Sequence, residues 1–160
     1  VPEQDRAALE ALIAADVRAL TAQSDQIGHA FAARHGLSDN DFRALLHVMV
    51  AEAGGDPLAA GGLRERMGMS GAAITYLVER MIASGHVLRE PDPADRRKVK
   101  LRVADHGLEV GREFFTPLAG HLSSALADVT DADLQAAHRV FGAIVESMRA
   151  FGTDLHVTPE

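Results

Sequence analysis

The sequence has no cysteine and no tryptophan, a single tyrosine among seven aromatics, and only two lysines. Without cysteine there is no disulfide scaffold, no thiolate metal site and no thiol redox switch. No run approaches the ~18 consecutive apolar residues of a membrane span. The acidic opening VPEQDR does not read as a signal peptide, and a cytoplasmic protein is expected. Bases are also in deficit, 16 against 23 acids, for a net charge of −7. Taken whole, that balance argues against a nucleic-acid partner. What is present is ordinary for a globular chain. The 160 residues suit one domain, 47% are hydrophobic and 24% are charged, which is too apolar for disorder. Arginine outnumbers lysine 14 to 2 and alanine fills 28 positions, a bias suggesting a GC-rich bacterial genome.

The net charge hides a distribution. Residues 1–57 carry 9 acids and 4 bases, residues 58–102 carry 5 acids and 9 bases, and residues 103–160 carry 9 acids and 3 bases. A segment of +4 therefore lies between flanks of −5 and −6. Screening confines charge interactions to about 8–10 Å, so a local basic footprint matters more than the total.

Apolar spacing predicts a mainly α protein. Residues 5–35 read as one long Ala-rich helix ending at His35-Gly36, where glycine can adopt the left-handed conformation that closes a helix. Ser38 with a carboxylate at Asp41 forms a capping box for a helix through Phe42, Leu45, Leu46 and Met49 to Ala53. Gly54-Gly55-Asp56-Pro57 breaks the chain. A short helix over 60–67 follows, then the turn Gly68-Met69, and Ser70 caps a helix to Ser84-Gly85. The period then changes to that of strands over 86–90 and 99–103, flanking the turn-forming Pro91-Asp92-Pro93-Ala94-Asp95. A helix from Asp105 toward Ala127, bent near Pro117, and a last helix capped at Thr130 complete the pattern, with fraying expected after Gly152.

Two short helices joined by a tight turn and followed by a hairpin make a winged helix-turn-helix. The second helix of such a pair fits the major groove, while the hairpin reaches phosphates or the minor groove. The hairpin carries Arg89, Arg96, Arg97, Lys98, Lys100 and Arg102, more charge than solubility requires. The eight histidines show no metal-binding spacing, and there is no phosphate loop or nucleophile elbow. Neither an enzyme nor a metal or other cofactor is expected.

Several stretches resemble the multiple-antibiotic-resistance regulator (MarR) family. They are Leu37-Ser38 leading into Phe42–Leu46, Leu63–Ser70, Ile74–Met81, Gly85–Arg89, and the wing signature Asp92-Pro93-Ala94-Asp95-Arg96-Arg97. The resemblance implies a winged-helix DNA-binding lobe over 37–104 and a helical dimerisation lobe from 5–35 and 105–152. It implies a homodimer on near-palindromic double-stranded DNA, acting as a repressor released by a small aromatic or phenolic ligand. By the same resemblance Ser70, Thr75 and Tyr76 contact phosphate or bases, Arg97 enters the minor groove, and Asp95 orients that arginine. Arg96, Lys98 and Lys100 add phosphate contacts, and Arg80 assists recognition. His29, Phe31, Arg43 and His47 are candidates for lining the ligand cleft. Two departures stand out. Gly71-Ala72-Ala73 occupies the start of the recognition helix where polar side chains are usual, which leaves open a dimer acting through protein partners. Ala104 replaces the usual threonine cap, so Asp105 is expected to cap the next helix.

Overall fold

The computed structural model describes residues 3–156, the side chains of 3, 4 and 156 excepted. Among them the elements run α1 (Glu3–Arg34), α2 (Asp39–Ala53), α3 (Ala60–Met67), α4 (Gly71–Ala83), β1 (Val87–Pro91), β2 (Val99–Val103), α5 (Asp105–Ala125) and α6 (Asp131–His156). They form two compact units, the first ending at Phe115 and the second beginning at Thr116. The division falls inside α5, whereas the expected lobes divide where the hairpin ends.

Local chemistry accounts for most helix ends in the first unit. Gly36 has φ +68°, in the left-handed region that favours glycine, and it stops α1. The capping box at α2 is complete: Ser38 Oγ accepts from the Asp41 amide at 3.2 Å, and the Asp41 carboxylate accepts from the Ser38 amide and hydroxyl. Ser70 Oγ caps α4 by accepting from the Ala73 amide at 3.3 Å. The helix α3 lacks a side-chain cap and closes on Gly68 at φ +62°.

The core of this unit is aliphatic, as a chain poor in aromatics requires. Leu45, Val48, Leu63, Leu77, Val78, Met81 and Leu101 are its most deeply buried side chains, joining α2, α3, α4 and the base of the hairpin. The hairpin is antiparallel, with Val87 opposite Val103 and Pro91 opposite Val99. Its free edge is pinned where the Leu101 amide donates to the Leu58 carbonyl at 2.7 Å. Glu52 of α2 accepts from the Val103 amide at 2.9 Å and pairs with Arg102, so the hairpin is tied to the helix that carries the core. A small aromatic cluster of Phe31, Phe42 and Phe114, with His35 stacked on Phe31 at 4.0 Å, joins α1, α2 and α5.

The expected elements need four adjustments. The first strand lies one residue later than the spacing suggested, at Val87–Pro91, because His86 is taken up by the turn and donates its amide to the Met81 carbonyl. α5 continues through Pro117 and ends at Ala125 instead of Ala127. Asp105 is the first helical residue of α5 with no side-chain hydrogen bond to an amide among the described residues, so it does not cap. Its contribution is charge near the positive end of the helix dipole. α6 does not fray at Gly152 but runs to His156, with Thr153 Oγ1 donating to the Arg149 carbonyl. One interior glycine costs about 1 kcal/mol, too little to end a helix whose ladder is otherwise intact. Residues 157–160 of the expected tail lie outside the described residues.

The second unit contains the rest of α5 and α6. Thr130 caps α6, its Oγ1 accepting from the Asp133 amide at 3.2 Å and donating to the Asp133 carboxylate at 2.7 Å. No described side chain of α6 is buried. Val140, Phe141, Val145, Met148, Phe151 and Leu155 all stand exposed. In the first unit, Leu9, Leu12, Ile13, Leu20 and Ile27 of α1 are exposed as well.

Candidate nucleic-acid interface

The wing is a stiff loop with its charge at the tip. Asp92 accepts from the Ala94 amide at 2.8 Å, the Asp92 amide donates to the Lys98 carbonyl at 2.9 Å, and the Lys98 amide donates to the Asp95 carbonyl at 2.8 Å. These bonds close a compact turn between β1 and β2. Asp95 then grips Arg97 three times. Its carboxylate accepts from the Arg97 backbone amide at 3.2 Å, from Nε at 3.1 Å and from Nη2 at 3.3 Å. Those bonds hold the Asp95 carboxyl below its ordinary pKa, since they favour the charged form. The Arg97 side chain is nevertheless 91% exposed, so its orientation is set while its outer face stays open.

The six hairpin bases are not equivalent. Arg89 pairs with Glu79 at 2.7 Å, and Arg102 with Glu90 and Glu52 at 3.0 and 3.5 Å. Lys100 lies 3.5 Å from Asp56 and 3.9 Å from Asp92, and is largely covered. Arg96 and Lys98 are exposed and have no ion-pair partner among the described residues. The hairpin therefore uses its base-proximal cations to hold itself to α2 and α4, and presents three others, Arg96, Arg97 and Lys98, at its tip.

On α4 the exposed face begins with the small residues Gly71, Ala72 and Ala73. Ser70 Oγ, accepting from Ala73, keeps its hydroxyl proton available to an outside acceptor. The Thr75 hydroxyl donates to the Gly71 carbonyl at 2.8 Å, which leaves only its lone pairs for a partner. Tyr76 is the large exposed side chain here, 68% accessible. Arg80 is placed differently from the expectation of direct recognition. Its Nη2 lies 2.5 Å from Asp41 Oδ1 and 3.5 Å from Ser38 Oγ, and its guanidinium carbon lies 5.4 Å from the centre of the Tyr76 ring. The bond to Asp41 raises the Arg80 pKa. The sequence did not single out Asp41 beyond its capping role, because a partner 39 residues away leaves no local signal. Arg64 and Arg66, exposed on α3, were likewise missed as surface cations. The charge excess of 58–102 was the one available hint.

Of the four residues expected to line a ligand cleft, His29 and Arg43 line a cavity and Phe31 and His47 do not. A cleft of about 450 Å³ between α1 and α2 is walled by Ser24, Asp25, Gly28, His29, Asp39, Phe42, Arg43 and Leu46. His29 Nδ1 meets the Asp39 carboxylate at 2.8 and 3.0 Å across its mouth. Phe31 turns instead into the aromatic cluster. His47 is half-buried on α2 outside that lining, where burial and then Arg66 and Arg43 lower its pKa. Among the described residues no group of three or more histidines and carboxylates is arranged to hold a metal, and no helix is long and apolar enough to cross a membrane.

The helix-turn-helix, the wing and the intervening turn coincide with one match: residues 35–98 fit the MarR family. Over this segment the chain is similar to the MarR family. An HTH-type transcriptional regulator of Bacillus subtilis, YcgE, is 32% identical over 79 residues, 49% of this chain and 51% of that protein. The chain thus spans about half the length of that relative. Similar folds extend further. A MarR family protein from Bacillus stearothermophilus superposes with a TM-score of 0.63 at 23% identity, covering 93% of this chain and 99% of that one. A mutant of MepR from a multidrug-resistant Staphylococcus aureus isolate gives 0.69 at 10% identity, covering 85% and 96%. A second MepR mutant, solved bound to an oligodeoxyribonucleotide, gives 0.53 at 10% identity over 85% and 97%. These likenesses establish a MarR-type winged-helix fold.

Proposed function

We propose that this chain is a MarR-family transcriptional regulator that binds double-stranded DNA as a homodimer, inserting α4 into the major groove and Arg97 of the wing into the minor groove. The observation that carries the reading is the Asp95–Arg97 clamp. A guanidinium held by two bonds to a carboxylate that also accepts from its own backbone amide, yet almost fully exposed, is pre-organised for an outside acceptor. Arg96 and Lys98 flank it as phosphate contacts, each releasing about one counterion. Ser70 and Thr75 position the start of α4, and Tyr76 reads bases or sugar. Lys100, engaged by Asp56 and Asp92, stiffens the wing more than it contacts DNA.

The dimer follows from uncovered surface. An α6 without a buried residue and an α1 with five exposed large aliphatics are poor surfaces for a monomer. A second copy covers them and sets two recognition helices about one DNA turn, ~34 Å, apart on a near-palindromic site. The regulator is a repressor whose ligand enters the α1–α2 cleft, of a size suited to a small molecule. Arg43 offers a cation to an acidic group and Phe42 an aromatic wall to a phenolic ring.

The test is fluorescence polarisation with palindromic duplexes from beside the chain's own gene, across 50–200 mM salt. Tight, salt-sensitive binding that weakens about thirtyfold in Arg97→Ala, the middle of the range for one good base contact, is the expected result. Binding indifferent to salt and to that substitution would refute the reading and leave the dimer acting through protein partners.

A further inference from the structure

Arg80 is the one cation of α4, and on a recognition helix the obvious role for it is a phosphate contact. The geometry points to another role: Arg80 is a positioning residue that fixes the Tyr76 ring for DNA, with Asp41 as the anchor that fixes Arg80. The inference rests on the DNA-binding reading above and adds to it the side chain that determines specificity.

The argument begins at the anchor. Asp41 is only 8% exposed, and its carboxylate is already committed to the capping box of α2 through the Ser38 amide and hydroxyl. It cannot swing out to follow a mobile partner. Arg80 reaches it from α4 at 2.5 Å and touches Ser38 Oγ at 3.5 Å, so the guanidinium is held at the junction of two packed helices. Its charge is matched there by a buried carboxylate, which leaves little of it for a phosphate. Breaking that pair to reach DNA would strand Asp41 as an uncompensated buried charge.

Tyr76 lies four residues before Arg80, on the same face of the helix. The guanidinium carbon stands 5.4 Å from its ring centre, within the range of a cation–π contact. Tyr76 stacks on no other ring among the described residues, and most of it faces solvent. Arg80 is therefore the main restraint on its rotamer. The restraint matters because of what precedes it. Gly71, Ala72 and Ala73 have no side chain that reaches a base edge, Ile74 is buried, and the Thr75 proton is used within the helix. Sequence discrimination by α4 thus falls on one tyrosine, and its selectivity depends on that ring being held in one orientation before DNA arrives.

Tyr76 is the only tyrosine and there is no tryptophan, so intrinsic fluorescence reports this ring alone. The experiment uses the full chain, wild type and Arg80→Gln, whose amide can still donate to Asp41 but carries no cation. Time-resolved anisotropy of the free protein should gain a fast depolarising component in Arg80→Gln. The ratio of specific to non-specific DNA affinity should fall about fivefold or more, the low end of what one base contact discriminates, while the salt slope stays the same. In a Tyr76→Ala background Arg80→Gln should then have no further effect on that ratio, because the two act as one unit. An unchanged anisotropy decay would overturn the inference. So would a salt slope reduced by about one with specific and non-specific affinities falling together, or an additive effect in the double variant; either marks a direct phosphate contact. Circular dichroism of each variant checks that α4 is intact, and Arg80→Lys, whose ammonium keeps the charge for both partners, should retain most of the ratio. If the wild type binds no duplex selectively, the DNA-binding reading fails, and the anisotropy of the free protein still decides whether Arg80 holds Tyr76.

Discussion

Replacing Gly107 by alanine should destabilise the chain, while the same replacement at Gly61 should leave it unharmed or slightly more stable. Both glycines lie inside helices, and propensity alone favours alanine by about 0.5–1 kcal/mol at such positions. Gly107 sits in the first turn of α5, where that helix passes against the turn leading into β1. A Cβ there would run into the His86 carbonyl and meet Val103 Cγ1 at 3.0 Å. The obstacle is backbone: the His86 carbonyl already accepts from the Ala104 amide at 3.0 Å and cannot turn aside without breaking that bond. Overpacking of this kind costs typically about 1–3 kcal/mol, more than propensity returns, so a net loss of about 1–2 kcal/mol is expected. Around Gly61 nothing lies within 4 Å of the added carbon, and a gain of a few tenths of a kcal/mol is expected. Urea unfolding at fixed protomer concentration measures both, since any dimer makes the midpoint depend on concentration. A Gly107→Ala variant as stable as the wild type would show that α5 does not pack closely on His86.

Three further outcomes follow from the same contacts. Ser38→Ala removes one half of the capping box and a partner of Asp41, and should cost about 1 kcal/mol or somewhat more in a denaturation midpoint; no change would mean that the α2 start is held by packing alone. His47 and His86 have pKa values lowered first by burial, reinforced at His47 by Arg66 and at His86 by His106. Above their unfolded pKa of about 6.5 both states are neutral and stability is full. As pH falls below that value the unfolded chain binds protons that the folded chain resists, so stability should decline toward pH 5. His86→Gln should flatten that decline, and an unchanged slope would place its origin elsewhere. Phe141→Asp, at an exposed position of α6, should shift the protein toward monomer in sedimentation velocity and leave the first unit's helicity intact; an unaltered sedimentation coefficient would remove α6 from any dimer contact.

Much of the fold was legible in the sequence because its signals are local. Ser38 with Asp41, Ser70, Thr130 and the glycines 36, 68 and 85 mark where helices start and stop within a few residues of themselves. The wing was legible for the same reason, since Asp95 and Arg97 are two positions apart and their pairing is built into one turn. The lining of the α1–α2 cleft was half legible. His29 and Arg43 line it, but Phe31 and His47 lie on faces that only packing could assign.

The amino-acid sequence by itself determined the order of elements, the aliphatic character of the core and the concentration of basic residues in the helix-turn-helix and wing, because periodicity, capping and charge are short-range properties. The tertiary structure decided which of those charges face outward. Arg89, Lys100, Arg102 and Arg80 look the same in sequence as Arg96 and Lys98, yet the first four meet Glu79, Asp56, Glu52 and Asp41. Each of these partners lies at least ten residues away along the chain. It also decided which glycines are required by a neighbour's approach. Both depend on where the chain returns in space, and residue spacing carries no record of that.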